Sequence, residues 1–389
     1  MKLVVRVKLL PTPEQAAALE ATQRTCNESA NWLSVRAFEG GRTSRAALQA
    51  SAYTELKARG LSAQPALHVL RKVADAYTAL KANLKAGNVG KSGTKRYRKA
   101  TSKPVAFRPD AAQPFDDRCL SWRVSERTVS IWTTSGRMKD LAFTGQNAQL
   151  VVLASYRKGE SDLLRQNGHW YLLATCEIPE TALNVAPDGF VGVDLGIVNI
   201  ATTSTGTRYS GRRLGRHREA DRLLRAKLQR KGTKSAKRRA KRRAGKEARR
   251  ARDINHKISK CIVAEAQRTG RGIALEDLTG IRERVRLRKP QRVTLHTWSF
   301  RQLGTFIAYK ARRAGVPVVY VDAAYTSQEC CRCHHIDRRN RPSQAVFACQ
   351  ACRFVEHADL NSSHNIAARG WSLWVCGAES TASVLALTA

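Results

Sequence analysis

No run of about 18 apolar residues occurs in this 389-residue chain, and the opening Met1-Lys2-Leu3-Val4-Val5-Arg6 lacks the apolar core of a signal peptide. A membrane-spanning or secreted protein is therefore not expected; a cytoplasmic one is. Acidic residues are scarce. The chain has 31 Asp+Glu against 69 Lys+Arg, a formal charge of +38. A compact protein so unbalanced repels itself unless a polyanion neutralises it, so nucleic acid is the expected partner and a membrane is not. Evenly spread cysteine pairs are also missing. Cys26, Cys119, Cys176, Cys261 and Cys376 stand singly, whereas Cys330, Cys331, Cys333, Cys349 and Cys352 crowd together. That distribution argues against a disulfide framework and for a metal site in a reducing cytosol. No internal repeat is found. Apolar residues are not lacking: at 42% hydrophobic the chain can bury an ordinary core, and its length suggests two or three domains.

Lys2 to Leu10 alternates, with Leu3, Val5, Val7 and Leu9 on one face and Lys2, Arg6 and Lys8 on the other, the pattern of a half-buried strand. Thr12-Pro13-Glu14-Gln15 supplies a cap, a first-turn proline and a capping-box partner. Helical periodicity runs from there to about Ala37 and again from Ser44 to Ala86. Gly87 to Pro104 reads as a basic loop. Short strands are expected at Leu120 to Val124, Thr128 to Thr133, Ala148 to Tyr156 and Trp170 to Ile178. A helical insertion inside a small antiparallel barrel reconciles the first strand with these later ones. From Phe190 the pattern alternates: strands at 190–193, 200–204, 272–275 and 316–321, with helices at 258–269 and 299–314. Such alternation predicts an α/β domain with a central sheet. Residues 211–252, dominated by Arg and Lys, read as one or two exposed helices.

Cys330-x-x-Cys333 and, after a gap, Cys349-x-x-Cys352 let four thiolates close on one tetrahedral Zn2+, a structural ion with no open position. Cys331 and His334 are alternative ligands. Asp194 ends the apolar strand Gly192-Val193, Glu276 ends Ile273-Ala274-Leu275, and Asp359 stands at an expected helix start. Three acids at element ends are what a two-metal phosphodiester hydrolase requires, and hard oxygen donors suit Mg2+ or Mn2+. Spacing alone does not separate them from Asp253, Asp277 or Asp322. In the basic stretch, Arg212, Arg213, Arg216, Lys237, Arg238, Arg239, Lys241, Arg242 and Arg243 are the candidate contacts to phosphates, in binding that is salt-dependent and largely blind to sequence.

Together these motifs resemble the TnpB family, encoded by insertion sequences and related to type V CRISPR effectors. The matching text is Gly192-Val193-Asp194-Leu195-Gly196, Leu275-Glu276-Asp277-Leu278, Trp298-Ser299-Phe300-Arg301-Gln302-Leu303 and Tyr309-Lys310-Ala311. It continues from Tyr325-Thr326-Ser327-Gln328-Glu329-Cys330 through the second CxxC to His357-x-Asp359-x-Asn361 and Asn365-Ile366-Ala367. The similarity covers roughly residues 185 to 370. It implies a RuvC-like nuclease domain of ribonuclease-H fold (185–325 and 356–372, with a basic helical insertion at 211–252). A zinc ribbon (326–355) would be inserted before the last acid, and a tail (373–389) would follow. In the first half it implies a wedge-type β-barrel (1–10 and 88–184) interrupted by a helical recognition module (11–87). Asp194, Glu276 and Asp359 fall on the family's catalytic, metal-holding acids. The implied partners are a guide RNA and double-stranded target DNA, with base pairing supplying specificity. Two departures stand out: His334 and Arg353 occupy the positions after each CxxC where the family commonly has glycine.

The expected function is an RNA-guided DNA endonuclease of the prokaryotic cytoplasm, associated with the nucleoid when bound to DNA. The alternatives are a DNA transposase acting on transposon ends without guide RNA, an RNA-guided DNA-binding repressor that has lost cleavage, and a binder of structured RNA. Oligomeric state is left open by the sequence.

Overall fold

The computed structural model describes residues 1–278 and 300–377. It divides into two compact units, the first Met1–Ile178 and the second beginning at Pro179. Trp298 and Ser299 of the matching text, and residues 378–389 of the expected tail, lie outside the described residues. Among the described residues no helix is long and apolar enough to cross a membrane.

The first unit opens with β1 (Lys2–Leu9), whose Val5, Val7 and Leu9 are buried as the alternation requires. α1 (Pro13–Glu39) starts on the anticipated capping box: the Gln15 amide donates to Thr12 Oγ1 at 3.2 Å and the Thr12 amide to Gln15 Oε1 at 3.0 Å. α2 (Arg45–Ala58) and α3 (Ala63–Lys85) pack on α1 around Leu33, Leu56 and Leu70. A short helix, α4 (Lys95–Thr101), follows inside the segment expected to be loop, capped by Thr94. The chain then forms β2 (Gln113–Phe115), β3 (Leu120–Arg123), β4 (Thr128–Thr133), β5 (Gly136–Thr144), α5 (Asn147–Tyr156), β6 (Arg157–Gln166) and β7 (His169–Glu177).

These strands build a seven-stranded antiparallel sheet in the order β2-β6-β7-β1-β5-β4-β3, with β1 in the middle beside β7 (Val5 opposite Ala174, Val7 opposite Leu172). The two edges, β2 and β3, are separated in the chain only by residues 116–119, where the Leu120 amide donates to the Asp116 carbonyl at 2.8 Å. A sheet whose edges are tethered this closely must curl until it nearly closes. The helices α1 to α4 are therefore an excursion between the first strand and the rest.

One expectation fails here: Ala148 to Tyr156 is helix, not strand. Its run Leu150-Val151-Val152-Leu153 does not alternate, and burial of Leu150, Val152 and Leu153 on one side suits a helix equally. The polar strands β5 and β6 carry too little apolar alternation to be anticipated.

The second unit contains β8 (Phe190–Asp194), β9 (Asn199–Thr203), β10 (Arg208–Ser210), α6 (Arg212–Lys231), α7 (Lys234–Arg268), β11 (Gly272–Asp277), α8 (Phe300–Ala314), β12 (Val318–Asp322), β13 (Val346–Ala348), β14 (Val355–His357) and α9 (Ala358–Val375). The main sheet runs β10-β9-β8-β11-β12; the first pairs are antiparallel, and β8, β11 and β12 are mutually parallel. Its parallel strands are apolar throughout because both faces are covered. Val191, Val193, Ile273 and Leu275 face Ile262 of α7 and Ile307 of α8, while Phe190, Ala274 and Val319 face Ile366 of α9.

The second part of the basic stretch and the helix expected at 258–269 are one element. α7 runs without interruption for 35 residues, about 52 Å, and only its second half buries Ile258, Ile262 and Val263. Residues 373–375, expected in the tail, continue α9.

Candidate functional site

β8 and β11 lie side by side in parallel, with Val193 opposite Leu275. Asp194 and Glu276, one residue further on each strand, therefore leave the sheet at the same end. Asp359 reaches that end from α9, where it sits in the first turn and its backbone amide donates to His357 Nδ1 at 3.2 Å. A helix N-terminus favours the negative charge placed there.

Two glycines decide that α9 comes close enough. A Cβ on Gly192 of β8 would lie 2.0 Å from the Ser363 carbonyl oxygen, and one on Gly370 of α9 would lie 2.4 Å from the Ala274 Cβ. At Gly192 strand and helix thus touch backbone to backbone, and at Gly370 the helix backbone meets the side chain of Ala274, contacts open to no other residue. Asp359 is thereby held beside the strand ends, 7% exposed.

Burial pushes the Asp194 carboxyl well above the usual carboxylate range; the charges of Glu276 and Asp359 push it further, and only Arg341 opposes them. Burial also raises Glu276, against a hydrogen bond from Thr326 and the charge of Arg369. Thr326 Oγ1 donates to Glu276 Oε1 at 2.5 Å, Asn199 Nδ2 donates to Asp359 Oδ2 at 2.9 Å, and the Arg341 guanidinium stands 3.7 Å from Asp359 Oδ1. The sequence reading missed Asn199, Thr326 and Arg341 as site residues. Thr326 lay in the matching text, and Arg341 lay in a basic run between the cysteine pairs; Asn199 carried no signal. The structure brings Asp194, Glu276 and Asp359 together. Of the alternative acids, Asp253 is paired on the surface of α7 with Lys257 at 2.8 Å.

The segment between β12 and α9 holds the cysteines. The Sγ atoms of Cys330, Cys333, Cys349 and Cys352 all lie within 4.8 Å of one another, the only group of metal-ligating side chains so drawn together among the described residues. Cys330 and Cys352 are 3.6 Å apart, Cys333 and Cys349 3.5 Å. Four thiolates about 2.3 Å from one Zn2+ would stand about 3.8 Å apart, so the donor set fits that ion. Burial raises the Cys349 thiol, but the amides of Cys352 and Ala351 and the neighbouring thiols outweigh it and hold it down at about 6. Neither Cys331 nor His334 belongs to the group.

Each knuckle closes on a residue in the left-handed region, His334 (φ 58°) and Arg353 (φ 62°), the two positions where glycine was the expected choice. The chain pays for this once per knuckle in backbone strain and recovers contacts: His334 Nδ1 meets Glu329 Oε1 at 2.9 Å.

One helix connects the cysteine module to the acids. Asn361 of α9 donates to the Glu329 carbonyl at 2.8 Å and accepts from the Cys331 amide at 3.0 Å. Asn365 donates to the carbonyls of Thr326 and Glu329, and Arg369 reaches the Glu329 carboxylate at 2.6 Å.

The hairpin of α6 and α7 turns at Gly232, which adopts a left-handed C-cap (φ 65°). Of the nine basic candidates, Arg212, Arg213, Arg216, Lys237, Arg238, Arg239, Lys241 and Arg242 are exposed. Arg243 is not free in the same way: its guanidinium is paired with the buried Asp221 across the hairpin. Glu247 binds Arg225 at 3.1 Å in the same seam.

Residues 174–279 match a family model described as "Probable transposase", and residues 300–366 match "Cas12f1-like, TNB domain". The chain is 30% identical over 236 residues to the CRISPR-associated endodeoxyribonuclease Cas12f1 of Sulfoacidibacillus thermotolerans, an overlap of 56% of this chain and 54% of the relative. It is 37% identical over 125 residues to the TnpB-like protein MJ0751 of Methanocaldococcus jannaschii, covering 31% of this chain and 44% of that one. The chain thus spans about half the length of the curated relatives it matches. Among solved structures, it overlays a Cas12f1–sgRNA–target DNA complex with a TM-score of 0.54 at 14% identity, over 90% of this chain and 82% of that one. CasPhi-2 (Cas12j) bound to crRNA gives 0.51 at 9% identity, over 94% and 97%.

The nearly closed sheet of the first unit and the second unit's sheet with its acids define a fold of the Cas12 and TnpB class. Within that class, the chain's matches are to a transposase-named family model, to a Cas12f1-like TNB domain, and to Cas12f1 and TnpB-like relatives.

Proposed function

We propose that the protein is an RNA-guided DNA endonuclease whose hydrolytic centre is Asp194, Glu276 and Asp359. The observation that carries this reading is the convergence of three carboxylates, from β8, β11 and α9, around a half-buried Asp194 that is costly to ionise without a cation. Such a donor set, all hard oxygen, fits Mg2+ or Mn2+. When bound, two such ions would stabilise the attacking and leaving oxygens of a phosphodiester. The chain's own residues orient the acids: Asn199 turns one oxygen of Asp359, Thr326 turns one of Glu276, and Arg341 supplies a positive charge beside Asp359.

The same reading gives the modules their roles. The second unit is a RuvC-like domain of ribonuclease-H type, with the sheet order and mixed strand directions described above, and residues 326–355 form its zinc ribbon. Residues 1–10 and 88–184 are a wedge-type barrel, and 11–87 a recognition module. A guide RNA and double-stranded DNA would lie against basic surfaces such as the α6–α7 hairpin. The relatives named as endonucleases and the solved complexes with RNA and DNA support this assignment.

The test is to express the gene with its native flanking DNA, sequence the RNA that copurifies, and assay a plasmid matched to that RNA. Linearisation of the matched plasmid, lost in Asp194→Ala, Glu276→Ala and Asp359→Ala with DNA binding retained, is the expected result. The match to a transposase-named family model favours a second reading: strand transfer of transposon ends without RNA would establish it in place of the first.

A further inference from the structure

Tyr325 stands one residue before Thr326, whose hydroxyl is bonded to Glu276. Its backbone is left-handed (φ 63°) and 59% of the residue is exposed. A bulky aromatic residue gains nothing locally from that conformation, which costs about 1–3 kcal/mol unless the surroundings enforce it. Here they do, from both sides. Arg369 of α9 donates to the carbonyls of Asp322 and Ala324 at 2.8 Å each, and Asn365 donates to the Thr326 carbonyl at 2.9 Å. The Tyr325 carbonyl accepts from the amides of Gln328 and Glu329. The same helix that carries Asp359 thus clamps this turn and leaves Tyr325 exposed, one residue from the Thr326 that holds Glu276.

Divalent ions on the acids would hold the scissile phosphate itself, but charge alone does not fix the nucleotides beside it. Base stacking can, because every base has a π-face and its attraction does not depend on phosphate. The β8–β9 loop also exposes apolar side chains, Ile197 (41%) and Val198 (47%), next to the Asn199 that holds Asp359. Resting on the nuclease reading above, we infer that Tyr325 stacks an unpaired base of the strand being cut and fixes the scissile phosphate over the acids. It is a positioning residue.

The test is cleavage of the guide-matched DNA by the guide-loaded protein carrying Tyr325→Gly or Tyr325→Phe, each with a scan of single abasic sites along the cut strand. Glycine relieves the left-handed strain, so a loss in Tyr325→Gly does not come from misfolding, and its melting temperature should equal or exceed that of the parent. Expected are a roughly 5- to 150-fold slower cut in Tyr325→Gly, near-parental cutting in Tyr325→Phe, and an abasic position that slows the parent by a similar factor but leaves Tyr325→Gly unaffected. Parental cutting rates in Tyr325→Gly, or an unchanged abasic profile, would overturn the stacking role while leaving the nuclease reading intact. No guided cutting by the parent would remove both.

Discussion

Asp194 is harder to ionise in the fold than in the unfolded chain, because burial and the charges of Glu276 and Asp359 oppose its charged form. A carboxyl whose folded pKa is raised lends stability below its ordinary titration range near pH 4, and that stability is lost as pH rises through the raised value. Without divalent ions, the protein should therefore melt at lower temperature as pH is raised from 4 towards neutrality, and Mg2+ should restore more stability at higher pH. Asp194→Asn should be more stable than the parent in chelator at pH 8 and gain little from Mg2+; melting curves with and without the ion check this. A second prediction concerns the groups that orient the acids. Asn199→Ala and Thr326→Ala should each lower the cutting rate about 10- to 100-fold, the range for second-layer partners of metal-holding groups, with melting temperature nearly unchanged. Asp194 and Glu276 stood out because each ends an apolar run, and Asp359 because it stands at an expected helix start, though only the family resemblance set the three apart from other acids. Asn199 carried no such signal, since its bond is to a helix that arrives 160 residues later.

At the scale of elements, the contact between β8 and α9 is set by backbone rather than side chains. Gly192→Ala and Gly370→Ala insert a methyl group where backbone or Ala274 already stands. Each should cost about 1–3 kcal/mol of stability and, by pushing α9 outward, cut the stabilisation by Mg2+ that the parent shows; urea titration with and without the ion measures both. Removing zinc should act on the same helix. Elemental analysis should find one equivalent, and Cys349→Ser should lose it together with cleavage, since the module's entry carries Thr326 and its interior Arg341. Helices with cap signals, such as α1 behind Thr12, were readable in advance. Elements decided by their neighbours were not: α5 has a strand-like composition, and β6 (RKGESDLLRQ) owes its state to pairing with β7.

For the whole molecule, a charge of +38 makes binding to nucleic acid a matter of displaced counterions. Arg238→Ala and Arg239→Ala, both exposed, should each weaken RNA and DNA binding across sequences and reduce the slope of log affinity against log salt by about 1. Arg243→Ala should leave that slope nearly unchanged and instead loosen the hairpin, because its partner is the buried Asp221. Filter binding at several salt concentrations, beside a melting curve, separates the two behaviours. Composition pointed to a polyanion; it could not tell which cations are already spoken for by a carboxylate of the same chain.

The acids come from distant parts of the chain, and α9 delivers the last of them. On the proposed reading, a ribosome that has already made β8 and β11 has produced two of the three acids and no cutting activity. Any product that stops short of Asp359 would then leave DNA uncut, however much of the basic surface it carries. By the same logic, two fragments parted at the exposed Gly232 turn each hold an incomplete set of acids, so cutting would begin only where both are present and reassociate.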